Sequence, residues 1–167
     1  MNMPKLTVPA QTRIILGHDP KTYYTVYNVG GVEFEEGSQL QYMGPDFFDW
    51  DKSYGQSDDI FLPKGIKYMA SNAWYGGHVN VFVPEESKPE GWADDWCSAS
   101  NEIIYGATKD NVVTIGDAVY VLYDNEAMLL HLRNTTNTYS LPETVAWDGK
   151  EYALTKMGNW CISSTWR

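Results

Sequence analysis

The stretch FLPKGIKYMASNAW, residues 61–74, decides the fold because its plan occurs once before in the chain. The earlier copy is FEEGSQLQYMGPDFF, residues 34–48. Both copies have an apolar strand, a turn that contains glycine, an apolar residue followed by Tyr-Met, and a closing small or aromatic pair. The Tyr-Met pairs at 42–43 and 68–69 are 26 residues apart. A repeat of this length predicts units that stack on one another, since one unit cannot bury its apolar side alone.

A third stretch, SLPETVAWDGKEYALTKMGNWCI at 140–162, shares part of this plan. It repeats the Leu-Pro of the second unit and the apolar step to Met157. It differs by the segment WDGKEY, whose Asp-Gly suits a tight turn. We interpret the stretch as a further unit of the same stack that carries a hairpin-like insertion.

Stacking of the three units predicts rows of equivalent residues in the core. Each buried side chain of this size stabilises the fold by roughly 1.5–3 kcal/mol, so the rows could dominate stability. The predicted rows are Phe34, Leu62 and Leu141 in the strand, Leu40, Ile66 and Val145 in the next layer, then Met43, Met69 and Met157, and finally Phe48, Trp74 and Ile162 at the convex side.

The rest of the chain also favours strands. Short runs rich in Val, Ile and Tyr, such as TYYTVYNV, HVNVFV and AVYVLY, are separated by Gly, Asp, Asn or Pro. Residues 107–137 indicate two or three antiparallel strands that turn at Gly116-Asp117 and Asp124-Asn125. Only MGPDFFDW and MASNAWY suggest brief helical or 3₁₀ turns. The predicted fold is therefore mainly β: a short solenoid with a strand and a 3₁₀ turn or short helix per unit of about 26 residues, plus antiparallel strands.

These motifs resemble the BspA-type leucine-rich repeat family of bacterial surface and phage proteins. The resemblance rests on LPKGIKYMASNAW and LPETV…YALTKMGNWCI, with Met where the family usually has Ile, and Trp74 and Ile162 where it has Phe. It extends to VFVPEESKPEGWADDW followed by IIYG, which is similar to the connector that ends the family's arrays. It covers residues 30–106 and, less fully, 138–162. The resemblance implies a leucine-rich repeat solenoid that binds other proteins.

The domain organisation follows from where the repeats begin and end. We predict one compact domain, with N-terminal strands or an arm at 1–31, repeat units with a Trp-rich terminal connector at 32–106, antiparallel strands at 107–137, and a further repeat unit at 138–167.

Composition narrows the function classes. The chain has 167 residues, 43% of them apolar, and a formal net charge of −10. So acidic a surface repels a phosphate backbone and argues against nucleic-acid binding. The N-terminal segment lacks the apolar core of a signal peptide, and no run approaches the about 20 apolar residues of a membrane span. Cys97 and Cys161 are too few for a disulfide scaffold or a cysteine zinc site, and either one disulfide or two buried thiols fits them.

The sequence gives little support for catalysis or metal binding. His18, His78 and His131 are isolated, and no HExxH, GxSxG or phosphate-binding loop motif occurs. The segment DWDKSYGQSDD, residues 49–59, spaces acidic residues as a calcium loop does, but its glycine comes one position late and Ile60 stands where a glutamate is needed. We therefore predict a solvated loop, no catalytic residues, no metal and no cofactor.

Tryptophans near the end of the repeats offer the main candidate site. In ESKPEGWADDW, residues 86–96, we expect Trp92 and Trp96 to fold over the open end of the stack. The alternative is a platform on which a sugar or peptide stacks, because exposed tryptophan suits that purpose. Such a carbohydrate-binding module would use Trp50, Tyr54, Trp92 and Trp96.

The function that these patterns favour is a non-enzymatic module for protein binding or structure. The lack of a recognisable leader favours a phage virion component, such as a head decoration, fibre or tail accessory protein. A secreted bacterial cell-surface adhesion protein and a carbohydrate-binding module are the alternatives. Unpaired strand edges and uncapped solenoid ends also predict self-association, with a symmetric homo-oligomer as the usual outcome.

Overall fold

The chain divides into two compact units, residues 1–106 and 107–167. A computed structural model describes residues 5–17, 31–50, 59–76, 79–132, 139–159 and 161–162. Within these ranges the regular secondary structure consists of strands, and no helix is long and apolar enough to cross a membrane.

The described residues of the first unit form ten short strands. Their length follows from the sequence, in which turn residues interrupt every apolar run after two to four positions. The strands are β1 (Lys5–Val8), β2 (Ile14–Ile15), β3 (Gly31–Phe34), β4 (Tyr42–Met43), β5 (Phe48–Trp50), β6 (Ile60–Phe61), β7 (Tyr68–Met69), β8 (Trp74–Gly76), β9 (Asn80–Val83) and β10 (Glu102–Tyr105).

Parallel pairing between strands far apart in sequence makes this unit a β-solenoid. β1 pairs with β3, and β9 pairs with both β6 and β10. A second ladder runs β2-β4-β7, and a third joins β5 to β8. The chain therefore winds through about five turns of about 26 residues. Tyr42 pairs with Tyr68 and Met43 with Met69, which confirms the predicted period.

The interior of the solenoid is filled by the inward residues of successive turns. Trp74 lies at the centre of an aromatic cluster, in contact with Phe48 at 5.3 Å between ring centroids and with Phe34 and Phe47 edge to face. Of the predicted row residues in this unit, Phe34 is half-buried; the fully buried ones are Leu40, Met43, Phe48, Leu62, Ile66, Met69 and Trp74.

In the described parts of the turns, the chain changes direction at corners rather than through helices. Asp46 and Asn72 have left-handed backbones, with φ of 49° and 54°, which asparagine and aspartate tolerate better than most residues. The corners stack as well: the N–H of Asp46 donates to the carbonyl of Asn72, and the N–H of Asn72 to that of Asp95. The brief helical turns predicted for MGPDFFDW and MASNAWY are thus strand–corner–strand segments.

The segment 86–96 forms the next turn of the winding, where the sequence predicts a flap over its end. Trp92 forms a parallel bridge with Met69, and Cys97 forms one with Trp74. Both steps span 23 positions, three fewer than the steps from β4 to β7 and from β5 to β8. The ammonium of Lys88 donates to the carbonyl of Trp92 at 2.9 Å and fixes the bend.

The second unit is a five-stranded sheet with the strand order β11-β12-β13-β15-β14. All neighbours are antiparallel except β13 and β15. The turns after β11 and β12 fall at the predicted Gly116-Asp117 and Asp124-Asn125. The strands are β11 (Val112–Ile115), β12 (Ala118–Leu122), β13 (Glu126–Leu132), β14 (Thr144–Trp147) and β15 (Lys150–Met157).

The stretch 140–162 differs from its interpretation as a further solenoid unit. Its two strands form an antiparallel hairpin, β14–β15, inside this sheet. Asp148 and Gly149 at its tip both have positive φ, as a tight two-residue turn requires, so WDGKEY is the hairpin itself and no insertion.

The predicted core rows change accordingly in this stretch. Val145 is buried and Leu141 packs beside it, but among second-unit residues such as Leu129. Met157 is 49% exposed and Ile162 is also largely exposed, so neither fills a core position. The Leu-Pro and Met matches are therefore coincidences of composition, because a local hairpin and not a 26-residue register sets which side chains turn inward.

Candidate functional site

The tryptophans that the sequence singles out as a sugar platform are core residues. Trp92 is 3% exposed and Trp96 is 1% exposed, and their rings meet edge to face at 4.9 Å. The Nε1–H of Trp92 donates to the carbonyl of Ile66 at 2.8 Å. With both rings enclosed, Trp92 and Trp96 present no face on which a sugar could stack.

Several other candidates lie outside the described residues. They are the side chain of Trp50, Tyr54, His18, His78 and nearly all of the loop that resembles a calcium site. Of that loop Asp59 is described, and its Oδ1 accepts a hydrogen bond from the amide Nδ2 of Asn80 at 3.1 Å. Among the residues that the structure describes, no three His, Cys, Asp or Glu side chains are grouped to hold a metal ion.

The two cysteines are separate thiols. Burial raises the pKa of Cys97 to about 11, while a hydrogen bond from Asn101 acts in the opposite direction. The reactive form of cysteine is the thiolate, so Cys97 is a poor nucleophile at neutral pH. His131 lies in β13, in the second unit.

An exposed row on the β2-β4-β7 ladder is the most distinctive surface of the first unit. Successive residues of a strand point to opposite faces. Met43 and Met69 point inward, so Tyr42 and Tyr68 point outward. Ile14 pairs with Tyr42, and Tyr42 with Tyr68. We call this row, with the adjacent exposed Leu16, the tyrosine strip.

The strip is strongly apolar for an exposed surface. Ile14 is 59% exposed, Tyr68 is 58% exposed, Leu16 is more exposed still, and Tyr42 is half-buried. The turns of a solenoid repeat at the strand spacing of about 4.8 Å, so these side chains stand in register. Large exposed side chains in one contiguous row mark interaction sites more often than scattered ones do.

Glycine shapes the end of the strip. Gly91 follows Tyr68 in the row, because the next residue, Trp92, pairs with Met69. A Cβ on Gly91 would lie 2.1 Å from the carbonyl oxygen of Lys67 and 3.1 Å from Cδ1 of Tyr68. The absence of a side chain therefore lets the chain pass close to the preceding turn, and no side chain follows Tyr68 in the row.

A polar row borders the strip on the side where its strands begin. It consists of Arg13, Gln41, Lys67 and Glu90, all exposed. Backbone hydrogen bonds of 2.9 Å hold the first three in line, from the N–H of Gln41 to Arg13 and from that of Lys67 to Gln41. Arg13 also donates through Nε to the side-chain oxygen of Gln39 at 3.4 Å. The border thus carries a positive charge at one end on Arg13, a positive charge in the middle on Lys67, and a negative charge at the other end on Glu90.

The sequence patterns described above do not single out the tyrosine strip, although the Tyr-Met pairs that predict it are present in the sequence. The Tyr-Met pairs reveal the repeat, but adjacent residues of a strand cannot both face inward. Once methionine is assigned to the core, the tyrosines must form a second, outward row. The arrangement suits non-covalent recognition of a flat or apolar partner, with tyrosine hydroxyls and border charges to give orientation.

Comparison of the chain with known protein families, with curated proteins and with solved structures finds no match.

Proposed function

We propose that this chain is a non-enzymatic structural module that works by binding protein. The tyrosine strip is the observation that carries the proposal. It sets large apolar side chains in register on a rigid sheet, with charges along one border. Aromatic residues are enriched where proteins meet, since they bury much area at a small cost in conformational entropy.

The finer proposal is a BspA-type repeat protein of a phage virion, such as a head decoration, fibre or tail accessory protein. Its support is the resemblance of FLPKGIKYMASNAW to the family's units, together with the solenoid of matching period. A secreted bacterial surface protein used in adhesion is the alternative, because the same family serves both settings.

Affinity capture with matched variants tests the binding proposal. The chain, its Tyr42→Ser/Tyr68→Ser double variant and a Tyr75→Ser control would serve as baits in extract of the native source. Tyr75 is about equally exposed but lies on β8, a different ladder. We expect a partner retained by the parent chain and the control and lost by the double variant. Equal capture by all three baits would contradict a role for the strip.

Fractionation of the source separates the two biological settings. Density-gradient centrifugation resolves phage particles from cell envelopes, and an antibody to the chain reports where it sediments. A virion component bands with the particles, whereas an adhesion protein stays with the envelope.

Carbohydrate binding is the second candidate, favoured by the exposed ring of Tyr68, beside which Gly91 places no side chain. The site would be Tyr42 and Tyr68, with the buried tryptophans excluded. Titration calorimetry against a panel of glycans is the appropriate measurement, because enclosed tryptophans report poorly on a ligand at the strip. Heat that disappears in the Tyr42→Ser/Tyr68→Ser variant would support this candidate, and its absence across the panel would remove it.

A further inference from the structure

The tyrosine strip and its border are each complementary to a second copy of themselves placed in the opposite order. In the direction of the solenoid axis the strip runs Ile14, Tyr42, Tyr68, Gly91: a large aliphatic side chain, two aromatic side chains, and a residue without a side chain. The border runs Arg13, Gln41, Lys67, Glu90, which is positive, neutral, positive, negative. When a second copy of each row is placed opposite the first in reversed order, Ile14 meets Gly91 at the ends of the strip and Arg13 meets Glu90 at the ends of the border.

We propose that a second copy of this chain docks on the tyrosine strip, face to face, about a twofold axis parallel to the strands that passes between Tyr42 and Tyr68. The proposal rests on the protein-binding function proposed above and names the partner. A twofold interface uses the same patch on both copies, so the patch must be complementary to itself.

The twofold axis fixes which residues meet. It keeps the strip opposite the strip and the border opposite the border, while it reverses the order of the turns. Ile14 then lies against the backbone of the partner's Gly91, where no side chain stands in its way, and Tyr42 lies against the partner's Tyr68. Each contact occurs twice, once with each copy's Ile14 against the other copy's Gly91. Apolar side chains that are exposed in one copy become covered in both.

The border gives the arrangement its orientation. Arg13 meets the partner's Glu90 at both ends, and Lys67 meets the partner's Gln41 rather than another lysine. The alternative axis, along the solenoid, keeps the order of the turns and loses the Arg13–Glu90 match. Opposite charges at an interface fix register more than they add affinity.

The size of the strip sets the expected strength. Four turns at about 4.8 Å span about 14 Å, which is less than a standard interface of about 800 Å² per partner needs. We therefore expect a weak dimer, with a dissociation constant in the range of tens to hundreds of micromolar, as about 5–6 kcal/mol of association allows.

Charge exchange is the decisive experiment. Sedimentation equilibrium between about 10 µM and about 1 mM would compare the parent chain with Arg13→Glu, Glu90→Arg and the Arg13→Glu/Glu90→Arg double variant. Each single change sets like charges opposite each other twice and should weaken the dimer about ten-fold. The double variant restores opposite charges and should dimerise within about two-fold of the parent, which a mere loss of folding could not produce.

Two variants serve as controls, and circular dichroism verifies the fold of each. Glu36→Lys changes an exposed charge at the turn after β3, and Tyr75→Ser removes an exposed aromatic residue from β8. Neither should alter the dimer, whereas Tyr68→Ser should abolish it. A monomer at every concentration would overturn the proposal, and so would a dimer that ignores the single charge reversals or is not restored by the double exchange. Failure here leaves capture of a different protein by the strip as a separate result, so the two proposals fail independently.

Discussion

At the scale of single residues, two buried tryptophans occupy similar space but differ in their polar atom. Trp92 donates its Nε1–H to the carbonyl of Ile66, whereas the buried Nε1–H of Trp74 finds no acceptor among the described residues. The aromatic neighbours of Trp74 supply packing instead. The stability of these two turns therefore depends on the hydrogen bond of one indole and on the volume of the other.

Replacement by phenylalanine separates these contributions. Trp92→Phe and Trp74→Phe remove the same atoms from two sites that are equally buried. We expect Trp92→Phe to lower the free energy of unfolding by about 1–2 kcal/mol more, because it alone breaks a buried hydrogen bond. Urea denaturation measures both values, and an equal or larger loss at Trp74 would contradict the assignment.

Substitution by alanine should lower the free energy of unfolding by very different amounts at Gly91 and at Gly65. Gly91→Ala forces a Cβ against the carbonyl oxygen of Lys67, which is backbone and cannot move aside. Gly65 has a φ of +93° but open space around it, so Gly65→Ala adds only backbone strain, about 1–2 kcal/mol. We expect Gly91→Ala to cost more than about 3 kcal/mol or to prevent folding. Thermal unfolding of the two variants compares them directly, and similar midpoints would refute the close approach of the turns.

The Cys97 thiol predicts a dependence of stability on pH. Its pKa in the folded protein is about 11, above the ordinary value of 9.0, so the folded state holds the proton more tightly than the unfolded state. The stabilisation is complete below pH 9 and is lost as the pH rises toward 11. Burial also raises the pKa of Tyr120 and Tyr123, which adds to the same slope.

A cysteine variant isolates the share of Cys97. Urea denaturation at several pH values should show a shallower decline above pH 9 for Cys97→Ala than for the parent chain. Alkylation at pH 8 should also be at least about ten-fold slower in the folded protein than in denaturant. Identical slopes for the two chains, or equally fast alkylation in both states, would show that the thiol is not enclosed.

At the scale of elements, the β14–β15 hairpin contains one predicted core residue that is buried, Val145, and one that is exposed, Met157. Val145 is 3% exposed in the core of the second unit, whereas Met157 is largely exposed at the end of β15. We expect Val145→Ala to cost about 1.5–3 kcal/mol and Met157→Ala less than about 0.5 kcal/mol. Chemical denaturation decides this, and comparable losses would favour the solenoid interpretation of this stretch.

The elements that the sequence predicts well are those with a repeated register. Two copies of the Tyr-Met step, 26 residues apart, are enough to place Met43 beside Met69 and to make the fold a solenoid. The Asp-Gly turn at 148–149 is equally well predicted, because its chemistry is local. The prediction fails at Met157, since a single apolar match carries no information about its strand partner.

The candidate site is predicted less well for a related reason. Trp92 and Trp96 stand in a stretch rich in Pro, Gly and Asp, which suggests an exposed loop. Their burial depends on Met69 and Trp74 one turn earlier, and such a contact across turns leaves no local pattern. The tyrosine strip, by contrast, follows from alternation alone.

At the scale of the whole molecule, the excess of negative charge gives self-association a definite response to salt. Two copies with a net charge of −10 each repel one another, while the borders of the strips attract. Salt screens both effects, and the short-range border pairs resist screening better than charges far apart. We expect the dimer to strengthen as sodium chloride rises from about 50 to about 200 mM and then to change little. Light scattering across that range measures it, and steady weakening would show that attraction at the border dominates instead.

The 23-position step from Met69 to Trp92 has a consequence for how such a molecule can change in length. At this step the outward row passes from Tyr68 to Gly91, so a unit added after it would not continue the row of tyrosines. Duplication of an internal 26-residue unit would instead leave every register intact and add one outward tyrosine and about 4.8 Å of docking surface. The number of repeated units therefore sets the length of the docking surface, and each added unit reuses the kinds of contact that the existing turns already make.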